Sequence, residues 1–249
     1  MKTQKIQKLL QYNIFSDIRE LIGLREELNF MRKRISFKNK SILDVGCGTG
    51  KFLILCSLFC DPKKSVGLDQ AEGKGSKKEI LEKFKNSIKI LNIDNIGIIK
   101  NDIFDFHTDQ KFNIITLNFS LHHIIRTKNN LCKDPDSQQK TLRLFQKIFC
   151  LLEDDGILII KEVSNQNLSR YINFYGKLLG LNLDWETKHQ PYEYKQILRL
   201  AKFQDIKISY GIPFIMKKYG LDKFEFLFSN KIANFFLSST YFIIAKKHP

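Results

Sequence analysis

The stretch Leu43-Asp44-Val45-Gly46-Cys47-Gly48-Thr49-Gly50 decides the reading of this 249-residue chain. A short apolar strand, Ser41–Val45, runs straight into three glycines at alternate positions. Lys51–Cys60 then continues as an apolar segment of helical length, ended by Asp61-Pro62. Strand, glycine turn and helix in that order put the loop at the carboxyl edge of a parallel sheet, where open α/β sheets bind ligands. Glycines there permit a tight turn and let a ligand approach the backbone. Two phosphate-binding readings fail on single residues. The dinucleotide fingerprint needs a third glycine where Lys51 stands, and a Walker loop needs Ser or Thr where Phe52 follows Gly50-Lys51.

Outward from the loop, the spacing of apolar residues predicts the other elements. Upstream, Ile6, Leu9, Leu10, Ile18, Leu21, Ile22, Leu28 and Met31 recur at helical spacing and predict two helices within residues 4–35. Downstream, Ser65–Leu68 reads as a strand capped by Asp69, Ser76–Leu91 as a helix and Ile96–Lys100 as a strand. Phe112–Leu117 is a further strand, Gln138–Leu152 an amphipathic helix, and Asp154-Asp155-Gly156 a turn into strand Ile157–Val163. Strands near Asp205–Tyr210 and Ser239–Ala245 close the chain. Short apolar strands alternating with helices predict a parallel sheet covered on both faces. No internal repeat or low-complexity linker interrupts the pattern, so one domain is the simpler expectation.

Composition bounds the function classes. With 43% hydrophobic and 27% charged residues the chain is an ordinary globular sequence, neither disordered nor fibrous. The five cysteines, Cys47, Cys56, Cys60, Cys132 and Cys150, form no disulfide framework and no C-x-x-C pair, which predicts reduced thiols and a cytoplasmic setting. The polar, basic segment Met1–Leu10 lacks an apolar signal region, and no apolar run is long enough to span a membrane, so no transmembrane anchor is expected. The net charge of +15 raises nucleic acid or a membrane surface as partners. It divides into +6 for residues 1–40, +2 for 41–163 and +7 for 164–249, so the basic excess lies outside the segment holding the glycine loop. Its densest cluster, Arg32-Lys33-Arg34, could touch phosphate or anionic lipid, but solvation is the more frequent role of such a triplet.

The glycine stretch resembles motif I of class I S-adenosylmethionine-dependent methyltransferases of the small-molecule type: an acidic residue, one apolar residue, then G-x-G-x-G, here Asp44 with Gly46, Gly48 and Gly50. The resemblance extends at motif level over residues 40–163. It implies an α/β, Rossmann-like, doubly wound seven-stranded sheet, mostly parallel with an antiparallel last strand, plus N-terminal helices and inserted cap segments. Residues 1–40 would form a helical cap and 41–249 the methyltransferase domain, with substrate-cap insertions at about 164–204 and 211–238. A sulfonium cofactor carries no phosphate. Its site needs carboxylates for the cation and amino group and close backbone contact with the methionine part.

The resemblance assigns S-adenosylmethionine contacts to Asp44, Gly46, Cys47, Gly48, Gly50, Asp69, Gln70, Asp102, Ile103, Asn118 and Phe119. Asp69, ending the second strand, would accept both ribose hydroxyls. Asp102, after the third strand, would accept the adenine amino group, with the next residue's backbone against the ring. Asn118 and Phe119 would flank the methionine end. The segment Leu121-His122-His123 looks like the "LHH" segment of small-molecule methyltransferases. One of its histidines, His122 or His123, would be the catalytic base; a helix-capping or packing pair is the competing reading. Adjacent histidines cannot easily converge on one ion and no third ligand is evident, so no metal is expected.

The implied reaction is methyl transfer to an oxygen or nitrogen of a small, apolar or lipid-like molecule. An RNA or protein methyltransferase using the basic flanks is the less favoured alternative, since Asn118 is followed by Phe119-Ser120-Leu121 and not by the Pro-Pro-Tyr/Phe of amino-methyltransferases. A methyltransferase-like binding subunit is the third, and peripheral membrane contact stays open. The two insertions hold aromatic and other apolar candidates for a closed pocket. These are Tyr171, Phe174, Tyr175, Leu178, Leu179, Trp185, Tyr192 and Tyr194 in the first, and Phe214, Met216, Tyr219, Phe224, Phe226, Phe228, Phe235 and Phe236 in the second.

Overall fold

A computed structural model describes residues 2–72, 79–127, 130–172, 184–211, 227, 229–237 and 240–248. Among them, in chain order, run α1 (Lys2–Gln11), α2 (Ile18–Arg32), β1 (Ser41–Val45), α3 (Lys51–Phe59), β2 (Lys64–Asp69), α4 (Glu79–Ile90), β3 (Ile96–Lys100) and β4 (Phe112–Asn118). There follow α5 (Leu121–Ile125), α6 (Pro135–Leu151), β5 (Leu152–Val163), α7 (Leu168–Tyr171), a 3-10 turn (Trp185–Thr187), α8 (Pro191–Leu200), β6 (Gln204–Tyr210), α9 (Lys231–Leu237) and β7 (Thr240–Lys246). The strands form a seven-stranded sheet in the order β3-β2-β1-β4-β5-β7-β6, with β7 antiparallel to β5 and to β6. This is a seven-stranded, mostly parallel Rossmann-like sheet with an antiparallel last strand, as the resemblance implies. No helix among the described residues is long and apolar enough to cross a membrane.

The described residues divide into two compact units. The first comprises Met1–Asn118 with Leu151–Gly156. In it β1 lies parallel to β2, Asp44 opposite Gly67, and parallel to β4, Asp44 opposite Thr116. Because β1 is covered on both faces, it reads as a continuous apolar run broken only by Asp44. Helix α3 follows the glycine loop and buries Leu53, Ile54, Leu55 and Cys56. Helix α2 starts at Asp17, whose carboxylate accepts the Glu20 N–H at 2.8 Å, while the Glu20 carboxylate accepts the Ser16 N–H at 2.8 Å. Such reciprocal bonds satisfy donors that have no partner within the helix. Helix α2 buries Leu21, Leu28 and Met31 and packs against α3.

Two glycines of this unit face the ring of Phe84, a fully buried residue of α4. A Cβ on Gly50 would lie 2.0 Å from Phe84 Cε2, and one on Gly67 would lie 2.8 Å from both Cys47 Sγ and Phe84 Cε1. Gly67→Ala is therefore expected to cost about 1–3 kcal/mol of stability through overpacking. Gly50→Ala is expected to cost about 1–2 kcal/mol more, because its backbone is left-handed at φ +70°. Urea unfolding measures both, and the loss in the double variant Gly67→Ala, Phe84→Ala should fall short of the sum of the two single losses.

The second unit comprises Phe119–Cys150 with Ile157–Pro249. Here β7 lies between β5 and β6, with Ile160 opposite Ile243 and Ile208 opposite Ile243 on the other side. Tyr241, Phe242 and Ile243 are almost wholly buried, as are Leu144, Phe145 and Ile148 of α6 and Tyr194, Ile197 and Leu198 of α8. Phe145 meets Tyr194 edge-on, ring centroids 6.3 Å apart.

Most described element boundaries lie within one or two residues of expectation, and two depart further. Helix α6 begins at Pro135, whose fixed φ suits a first helical turn, three residues before the predicted start. Asp154-Asp155-Gly156 does not separate the helix from the strand, since β5 begins at Leu152 and runs through it. Asp155 takes a left-handed φ of 61°, and a Cβ on Gly156 would lie 2.7 Å from the Glu153 carbonyl oxygen. The three residues therefore make a kink inside a strand, and pairing with β7 starts at Ile157. For α4, residues 73–78 lie outside the described residues.

Candidate active site

The glycine loop is built on three left-handed glycines, with φ of 72° at Gly46, 53° at Gly48 and 70° at Gly50. The N–H groups of Gly46 and Cys47 both donate to the Leu68 carbonyl, at 2.7 and 3.2 Å, and tie the loop to the end of β2. The next residue, Asp69, is the junction of the region. Its Oδ2 accepts the Gly48 N–H at 2.9 Å, its Oδ1 accepts the Ala71 N–H at 2.8 Å, and its main-chain oxygen accepts the Asn101 N–H at 3.2 Å. Three loops, after β1, β2 and β3, are thus held by one buried residue. A carboxylate offers about four lone-pair sites, so two bonds leave acceptor capacity at Asp69. A Cβ on Gly48 would meet no heavy atom within 4 Å, so this turn faces open space.

Asp44 is also buried. Its Oδ1 accepts the Thr116 hydroxyl at 2.6 Å and the Asn118 side-chain amide at 2.9 Å, across the β1–β4 pair. Cys47 lies beside both carboxylates. Burial, followed by the charges of Asp44 and Asp69, pushes its thiol well above the usual range, so it stays protonated and is no nucleophile. Gln70 is half-buried between Asp69 and Ala71. Asp102 closes a local turn by accepting the Phe104 N–H at 2.8 Å, and Ile103 is buried behind it. Asn101 supports that turn by accepting the Asp102 N–H at 2.8 Å. The first unit thus brings together ten of the sequence-predicted cofactor residues: Asp44, the loop residues 46, 47, 48 and 50, Asp69, Gln70, Asp102, Ile103 and Asn118.

Lys51 follows the loop directly, and its ammonium donates to Glu20 of α2 at 2.5 Å. Burial raises the Glu20 pKa, but the Lys51 bond and the bonds from Ser16 outweigh it and hold the carboxyl below its ordinary value. A lowered carboxyl contributes stability above its unfolded pKa and loses it as the pH falls through the folded value. Glu20→Gln is therefore expected to lower the melting temperature at pH 7. The difference should shrink as the pH falls through the folded-state value, which lies below the ordinary carboxyl value, until Glu20 is protonated in both states. A pair of thermal scans at pH 7 and pH 3 checks this.

In the second unit the predicted residues are Phe119, His122 and His123. Phe119 has a left-handed φ of 54°, its N–H donates to the Lys161 carbonyl at 2.9 Å, and the buried Lys161 ammonium lies 4.2 Å from its ring centroid. A non-glycine residue in that conformation costs about 1–2 kcal/mol, which the bond and the cation–π contact offset. His122 Nδ1 lies 2.9 and 3.0 Å from the two carboxylate oxygens of Glu162, a residue only 2% exposed. The carboxylate accepts a hydrogen bond from Nδ1–H in the tautomer that leaves Nε2 with the ring's free lone pair. His123 stacks on His122 with centroids 4.0 Å apart but is exposed. Its pKa is lowered by partial burial and then by the charges of His122 and Lys188. Lys188 is itself buried, and burial lowers its pKa against the attraction of Glu162. Of the two histidines, His122 is therefore the oriented one.

Sequence reasoning missed Thr116, Glu20, Lys161, Glu162 and Lys188. A signal for Glu162 did exist: Lys161-Glu162 interrupts an apolar strand near its carboxyl end. Among the aromatic candidates, Tyr194 is a fully buried core residue, while Tyr171, Tyr192, Phe235 and Phe236 border one cavity. Trp185 lies on the 3-10 turn. Phe174, Tyr175, Leu178, Leu179, Phe214, Met216, Tyr219, Phe224, Phe226 and Phe228 lie outside the described residues.

A family model described as a methyltransferase domain matches residues 36–202. No curated protein sequence matches the chain. Among solved structures, the fold is similar to that of an S-adenosylmethionine-dependent methyltransferase from Archaeoglobus fulgidus, at 19% identity and a TM-score of 0.59, covering 96% of this chain and 99% of that one. It is similar to phosphoethanolamine N-methyltransferase 2 of Haemonchus contortus in complex with S-adenosyl-L-methionine, at 16% identity and a TM-score of 0.59, covering 90% of this chain and 52% of that one. A possible histamine N-methyltransferase from Thermotoga maritima matches at 11% identity and a TM-score of 0.57, covering 99% of this chain and all of the other.

Proposed function

The chain belongs to the methyltransferase-domain family, and from that premise we propose that it is an S-adenosylmethionine-dependent enzyme methylating an oxygen or nitrogen of a small, apolar acceptor. The observation that carries the reading is Asp69. One buried carboxylate fixes the glycine loop through the Gly48 N–H and keeps capacity for two ribose hydroxyls. The donor set fits a sulfonium cofactor. Carboxylates line the region, and the lysine beside the loop, Lys51, is held by Glu20 and not turned to a phosphate. Asp44 and Asn118 would meet the methionine end, Asp102 and Ile103 the adenine.

When bound, the cofactor supplies an electrophilic methyl group on sulfur. This chain's residues hold the acceptor, exclude water and take up one proton. His122 Nε2 would accept that proton from the acceptor's O–H or N–H. Glu162 stabilises the imidazolium that results, and positioning in a dry pocket supplies the larger share of the rate.

Incubating the protein with methyl-labelled cofactor and a fractionated cell extract tests the acceptor class. Label is expected in the low-mass, organic-extractable fraction. Label confined to RNA or protein would overturn the small-molecule reading.

A further inference from the structure

We infer that the methyl acceptor binds in a cavity of about 390 Å³ within the second unit, and that it is an apolar molecule with an anionic or neutral polar end. The inference rests on the methyl-transfer reading above. The volume falls within the range of small-molecule sites, about 300–1,000 Å³. Tyr171, Tyr192, Tyr210, Phe235 and Phe236 supply aromatic wall, and Ile208 of β6 adds an aliphatic side.

Two chain segments connect this cavity to the histidine pair. Ser164, in the wall, is two residues beyond Glu162, which holds His122. Gln190, also in the wall, is two residues beyond Lys188, whose ammonium feels the Glu162 charge. The exposure of the wall points the same way. Tyr171 is 65% exposed, Ile232 72% and Phe236 48%, a cluster of apolar surface that a bound molecule would cover.

The polar lining sets the ligand's charge. Ser164, Gln166, Gln190 and Asn234 are neutral, and Lys231 is the charged side chain among the described lining residues. An anionic group gains from that ammonium. A cationic one would be repelled by it, with no carboxylate among the described lining residues to compensate.

Fluorescence titration with two probes tests this: 1-anilinonaphthalene-8-sulfonate, aromatic with one negative charge, and N-phenyl-1-naphthylamine, its uncharged counterpart. Both are expected to saturate one site. Ile208→Trp, which fills the cavity, should weaken both at least tenfold and abolish labelling of the low-mass fraction. Lys231→Glu, an exposed change, should weaken the sulfonate at least fivefold and leave the neutral probe within twofold. Cofactor affinity, measured by calorimetry on the same samples, should stay unchanged in both variants. The inference is overturned if folded Ile208→Trp binds both probes as the parent does, or if Lys231→Glu leaves the sulfonate unaffected or weakens both probes alike. A parent protein that binds the probes as expected but not the cofactor would defeat the methyl-transfer reading instead.

Discussion

Asp69→Ala is expected to weaken S-adenosylmethionine binding by about 30- to 1,000-fold, equivalent to about 2–4 kcal/mol. Two losses add up. The ribose hydroxyls lose a charged acceptor, and hydrogen bonds to charged groups are worth about 1.5–3 kcal/mol. The glycine loop also loses its tether, because the Gly48 and Ala71 N–H groups both end on this carboxylate. Asp69→Asn should fall between the parent and alanine. Its carbonyl oxygen can accept one N–H, but its amide hydrogens would face the second donor. Calorimetric titration measures the affinity. A change of less than threefold in a folded variant would remove Asp69 from the cofactor site.

The second large effect concerns turnover. His122→Ala is expected to lower kcat by about 10²–10⁴-fold, the range for loss of a positioned general base. Cofactor affinity should be unchanged, because His122 is assigned to the acceptor's proton. Glu162→Gln keeps the shape and one acceptor for Nδ1–H but removes the charge that stabilises the imidazolium. It should lie between the parent and His122→Ala. The pH profile separates this role from a structural one. Any acid limb in the parent's pH–activity profile should be lost in His122→Ala. An unchanged profile in a folded His122→Ala variant would return the histidines to the packing reading.

Much of the fold was legible because its signals are local. Ser41–Val45 and Ile96–Lys100 are strands over the predicted residues, as each apolar run is bounded by turn residues on both sides. The glycine string needed no tertiary information, since glycine admits the left-handed backbone of Gly46, Gly48 and Gly50 and its spacing after an apolar strand marks the turn. What escaped depends on register. Thr116 meets Asp44 because β4 pairs with β1 at that position, and nothing near residue 116 announces it. Glu162 and His122 are 40 residues apart, and only the fold makes them partners. Asp154-Asp155-Gly156 misled in the opposite way. Its residue types favour a turn, and the chain absorbs that preference as one left-handed residue inside β5.

The charge of +15 finds a narrower meaning. Lys51, Lys161 and Lys188 all have partners or charged neighbours inside the fold, so part of the basic excess is internal. Lys231 is the cation with a ligand-facing assignment, in the acceptor cavity.

The most direct measurement of the central claim is a calorimetric titration of the purified protein with S-adenosylmethionine. The account predicts one molecule bound per chain with a dissociation constant of about micromolar order, equivalent to about −8 kcal/mol. No detectable binding by folded protein at millimolar cofactor would contradict it.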